Sequence, residues 1–143
     1  MSGWQAQIMT KEESMNLKKT MSIALVLFVA FVAGISAQSI EQQANTLLQR
    51  YEALAKKYEN LAIKSGTLAT QQRPTRQSLR RLETNRQTLS TKRVEIQAYW
   101  CAFFTTGRDV TEAQQTRLDA IGDRLRLADD RIDTNIRTIN SKL

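Results

Sequence analysis

From residue 40 onward, apolar side chains return every seven positions: Ile40, Leu47, Leu54, Leu61 and Leu68, with Ala44, Tyr51 and Tyr58 four residues after the first three. Such a 3-4 repeat lays one apolar seam along a helix, as packing against other helices requires. Ser39 and Gln42 form a capping-box start, and Lys64-Ser65-Gly66 reads as a basic last turn with a glycine stop. The pattern predicts a first helix over about 39–65. The stretch Thr67 to Thr75 holds the only proline and is the expected turn. Beyond it Leu82, Leu89, Ile96 and Phe103 repeat by seven, with Leu79, Arg86, Arg93 and Trp100 at the alternate seam positions. This predicts a second helix over about 75–105, closed by Gly107 as a left-handed cap. Its two seam arginines can bury their stems only if their guanidinium groups reach an edge. Thr111 and Gln114 repeat the capping box. From there Leu118, Ile121, Leu125, Ala128, Ile132, Asn135 and Ile139 step by three and four, a third helix over about 111–141.

Three helices with short connections predict an all-α fold, an antiparallel three-helix bundle or coiled coil about 40–48 Å long at 1.5 Å per residue. A helical hairpin that completes its core by oligomerising is the alternative. Asn135, polar at a seam position, is a candidate for fixing register or oligomeric state, or else a tolerated polar residue near a fraying end.

The pattern changes before residue 38. No charge occurs from Thr20 to Ile40, yet the strongly apolar run, Ile23 to Val32, is ten residues long. A spanning helix needs about 20 apolar residues, a secretory core roughly 7 to 15, preceded by positive charge and followed by small residues. Lys18 and Lys19, Ile23 to Val32, and Ala33 to Gln38 follow the second pattern, with Ala37 before the expected cut. Residues 15–37 therefore read as an export signal. A signal anchor is the alternative, with residues 1–20 cytoplasmic and the bundle outside. Residues 1–14 read as a short cytoplasmic tail or a mis-assigned upstream extension. Lys11-Glu12-Glu13 can be encoded by a purine-rich, ribosome-binding-like sequence ahead of a start at Met15. Residues 38–143 form the bundle domain.

Composition narrows the chemistry. The 143-residue chain has no histidine, one cysteine (Cys101), five glycines and one proline. This removes imidazole ligands and bases and leaves no cysteine framework, and no Gly-rich phosphate loop or carboxylate-rich calcium loop is present. No catalytic, cofactor or metal residue is nominated, and the expectation is a non-enzyme.

Charge and aromatics supply the candidate contacts. Residues 73–93 carry Arg73, Arg76, Arg80, Arg81, Arg86, Lys92 and Arg93 against Glu83 alone. The segment reads as a contact for an anionic surface (phospholipid, lipopolysaccharide, cell-wall polymer or an acidic client) or as a solvated face neutralised by the third helix. An antiparallel turn near residue 108 places Arg86 opposite Asp129 and Asp130. Nucleic acid is not expected, since the segment lacks interleaved aromatics. Tyr99, Trp100, Phe103 and Phe104 cluster in one and a half turns, as core at the closed end of a hairpin or as a partner-binding patch. Cys101, off the seam, is a candidate for an intermolecular disulfide or a small buried hydrophobe. The terminal Ser141-Lys142-Leu143 matches a peroxisomal address, with which an export segment competes.

The function expected from these features is a non-catalytic, periplasmic or secreted helical module of a bacterial envelope. It would act as spacer, adaptor or client-binder through self-association or a protein partner. A bitopic, inner-membrane-anchored coiled-coil protein of envelope-spanning or lysis type and an exported holdase-like chaperone are the alternatives.

Overall fold

The computed structural model describes residues 39–143, which form three helices: α1 (Ile40–Thr70), α2 (Arg76–Thr105) and α3 (Glu112–Ser141). The expectations for residues 1–38, including the export segment, lie outside the described residues. Both capping boxes form. The Ser39 and Thr111 hydroxyls accept from the backbone N–H of Gln42 and Gln114, whose side chains accept in return from the cap residues' own N–H groups. Gly107 takes φ +80°, a left-handed position favourable to glycine that ends α2 where the sequence placed its stop.

The fold is the expected all-α three-helix bundle. Contacts between α1 and α3 keep a nearly constant sequence offset. Gln114 donates to the Glu41 carbonyl and to Asn45, Arg117 meets Glu52, Arg124 meets Glu59, Asn135 meets Ser65, and Lys142 meets the Ala69 carbonyl. A constant offset means that the two helices run parallel and in register over their full length. Between α1 and α2 the sense reverses: Gln97 bonds Tyr51, while Arg93 bonds Tyr58. The topology is therefore up-down-up, with α1 packed closely on α3 and also on α2. From α1 alone the rod is about 46 Å long at 1.5 Å per residue.

Two details depart from the sequence expectation. First, α1 does not stop at Gly66 but runs four residues further, to Thr70. A glycine ends a helix only when the backbone turns left-handed there, and Gly66 keeps helical backbone, with Asn135 of α3 packed over it, 3.6 Å from where a Cβ would stand. The chain leaves the helix at Gln71, in extended conformation, just before Pro74, whose ring disfavours helical geometry in Arg73. Second, the buried face of α1 is wider than one seam. Leu48, Ala55, Ala62 and Ala69, also seven apart, are buried beside Leu47, Leu54 and Leu61. A helix in contact with two others needs two such stripes, and small alanines let α3 approach.

Near the α2–α3 turn every residue from Gln97 to Phe103 is buried. Trp100 and Phe103 are 1% and 0% exposed, with ring centroids 5.7 Å apart at 78°, and Phe104 stacks on Trp100 at 5.9 Å. Burying rings of this size contributes several kcal/mol each by transfer. Among the described residues the Trp100 indole N–H has no acceptor, so this side chain stabilises through buried area and its ring contacts.

Candidate functional site: a basic end and a polar groove

The candidate cations separate into three environments. Arg86 reaches across to α3, where its Nε donates to Asp129 at 3.0 Å and Nη1 to Asp133 at 3.4 Å. Burial would lower its pKa, but the two carboxylates outweigh that and hold it above the usual arginine value. The seam arginine thus closes α2 onto α3 opposite Asp129, where antiparallel geometry placed it. Arg93 turns instead into a groove between α2 and α3 floored by Tyr58. Lys92 is exposed on the other face of α2, near Arg50 and Lys57 of α1.

The remaining four, Arg73, Arg76, Arg80 and Arg81, are exposed at one end of the rod and, among the described residues, make no ion pair. The parallel α1–α3 register adds cations from outside the segment. Lys64 lies near the end of α1, Arg137 and Lys142 near the end of α3, and both helices finish beside the start of α2. Lys142 donates to the carbonyls of Ala69 and Gln71, where a cation also suits the negative end of the α1 dipole. Residues 64–82 and 134–143 together hold seven Lys and Arg and no Asp or Glu. At the opposite end, residues 39–46 and 104–119 hold four acids, Glu41, Asp109, Glu112 and Asp119, against Arg108 and Arg117. The rod is electrically polar along its axis.

The aromatic cluster is largely spent on packing. Tyr99 is 7% exposed, and only Phe104 keeps a half-buried edge, beside Val110 and Thr111. Burial raises the pKa of the Tyr99 phenol, as the nearby Glu95 also does. Cys101 is 9% exposed, and burial pushes its thiol above the ordinary value, toward an inert side chain.

Asn135, half-buried, donates to the Ser65 hydroxyl at 2.8 Å, while Ser65 donates to the Ala62 carbonyl at 2.8 Å. The seam asparagine is answered within the chain. Tyr51 and Tyr58 are likewise seam residues whose hydroxyls meet Gln97 and Arg93. Burial dominates their titration and pushes Tyr58 up to about 12. In this register each of these polar atoms has a partner, which a slip of one helix along another would remove.

Among the described residues no helix is long and apolar enough to cross a membrane, and no group of His, Cys, Asp or Glu is arranged to hold a metal ion. No family model, curated protein or solved structure matches the chain.

Proposed function

We propose that this chain is a non-catalytic helical spacer or adaptor of a bacterial cell envelope, whose basic end docks on an anionic surface. The observation that carries the reading is the cation-rich tip built from all three helices, with Arg73, Arg76, Arg80 and Arg81 exposed and unpaired among the described residues. Of the seven cations only Arg137 is ion-paired among the described residues, with Asp133 at 2.8 Å, and the others produce a potential that the rest of the rod does not cancel at short range, because the Debye length is about 8 Å at physiological salt and the rod about 46 Å long. Each Lys or Arg near an anionic membrane contributes about 1 kcal/mol. The absence of histidine and of any catalytic motif in the sequence supports a role through association rather than chemistry.

Export of the bundle rests on the pattern of residues 15–37, and a periplasmic or secreted protein follows if the segment is removed. One observation favours keeping the anchored reading beside it. Residue 39 begins α1 at the end of the rod opposite the basic tip. If the apolar segment stays in a membrane, the tip is carried about 46 Å away from that membrane, as a bridge to a second anionic layer would require.

Cosedimentation of the bundle domain, residues 38–143 without the apolar segment, with vesicles of anionic phospholipid tests the docking. Binding that weakens steeply between low and physiological salt, and is absent with neutral vesicles, is expected. Equal binding to neutral vesicles, or binding indifferent to salt, would sink the reading.

A further inference from the structure

The groove between α2 and α3 encloses about 440 Å³ and is lined by Tyr58, Ser90, Arg93, Val94, Gln97 and, further along, the Arg86–Asp129 pair. Its size falls within the range of small-ligand sites. Its donors outnumber its acceptors at one end. Arg93 offers five N–H groups, and its partner is the Tyr58 hydroxyl; among the described residues no carboxylate lies within ion-pair distance of it. The Ser90 hydroxyl makes no hydrogen bond among the described residues, whereas Thr88 and Thr91 beside it donate back to the carbonyls of Thr84 and Gln87.

The groove's carboxylates do not fill this need. Asp129 is held by Arg86, and Glu83 lies ten residues from Arg93 on the same helix, about 15 Å along the axis. Arg93 is the cation of this groove left without a carboxylate partner among the described residues, and one carboxylate matches one guanidinium fork in bidentate fashion. Val94 and Ile136 add apolar wall for a short carbon chain.

We propose that this groove binds a small organic monocarboxylate, its carboxylate clasped by Arg93 and the Ser90 hydroxyl, over the Tyr58 ring edge. The proposal is independent of the basic tip, since Arg93 faces the groove while the tip arginines face solvent.

The test follows the Arg93 Nε–Hε resonance of the full-length chain by NMR during titration with butyrate at constant ionic strength. A saturable shift is expected at Arg93 and not at Arg76, with inorganic phosphate weaker than butyrate. Arg93→Lys keeps the charge but loses the fork and should weaken binding about tenfold or more, read on the Ser90 and Gln97 amides. If that variant loses the fold, Ser90→Ala replaces it, with a loss of two- to fivefold expected, about the worth of one neutral hydrogen bond. A shift linear in butyrate, the same shift at Arg76, an equal response to phosphate, or undiminished binding in the folded variants would overturn the assignment.

Discussion

Asn135 of α3 donates a 2.8 Å hydrogen bond to the Ser65 hydroxyl of α1, and its amide stands over Gly66 on the next position of the helix. This contact reconciles three features of the sequence: a polar residue in an apolar seam, a serine at full burial, and a glycine that does not end its helix. Ser65 also donates to the Ala62 carbonyl, so it retains one bond if Asn135 is removed. Asn135→Ala should cost about 1 kcal/mol, the net worth of one hydrogen bond, measured by urea denaturation.

Gly66→Ala should be stabilising. The helix is continuous there, and the added methyl meets the Asn135 amide at 3.6 Å, an ordinary contact. A gain of about 0.5–1 kcal/mol from reduced backbone freedom is expected, visible as a raised denaturation midpoint at unchanged slope.

Arg86 joins α2 to Asp129 and Asp133 at 3.0 and 3.4 Å, with side chains about 30–40% exposed. Screening by water limits such pairs, so Arg86→Ala should cost about 1–2 kcal/mol, part of it from lost packing of the stem. Arg86→Met restores the stem and should recover part of that loss. Thermal melts of the two variants against the parent check the order.

Alkaline pH should destabilise the bundle through its buried phenols. Tyr58 is pushed to about 12, and Tyr51 and Tyr99 are raised in the same direction, all chiefly by burial. Their contribution is whole below the unfolded value near 10. Above it the unfolded chain releases protons that the folded chain retains, so stability falls as pH rises from about 10 toward 12. Tyr58 alone, 1% exposed, supplies on the order of 2–3 kcal/mol of that fall. Urea midpoints measured from pH 8 to 11.5 should decline above 10, and Tyr58→Phe should decline less.

The Cys101 thiol should react with a disulfide reagent only as the bundle opens. It is 9% exposed with a raised pKa, so both access and thiolate fraction are low. Labelling rates in native buffer should fall at least a hundredfold below those in denaturant, and non-reducing electrophoresis should show monomer. Rapid native labelling, or a reducible dimer, would return the intermolecular disulfide to consideration.

What the sequence disclosed was set by local chemistry. Ser39, Thr111 and Gly107 act through their own turns, and the leucine seams through helical period, so each was readable without knowing its neighbours. Arg86 opposite Asp129 followed from antiparallel register. The continuation of α1 through Gly66 was not legible, because a glycine after Lys64-Ser65 reads locally as a stop and the packing of α3 over it, through Asn135, is not a local signal. The second stripe of α1 was masked by its alanines, whose spacing by seven is a weak signal beside leucine. Grouping Lys64, Arg137 and Lys142 with the tip needed the parallel α1–α3 register, and separating Arg93 from the tip needed the groove.

The most direct test of the docking account removes equal charge from two places. One variant carries Arg73, Arg76, Arg80 and Arg81 as glutamine; the other carries Lys56, Lys57, Lys92 and Arg126 as glutamine, with the same net charge spread along the rod. Affinity for anionic phospholipid vesicles is then measured for both at physiological salt. A loss of about a hundredfold or more is expected for the first, from about 1 kcal/mol per tip arginine, and a change within about threefold for the second. Equal losses in the two variants would mean that net charge alone attracts the protein, and the basic end would have no special role.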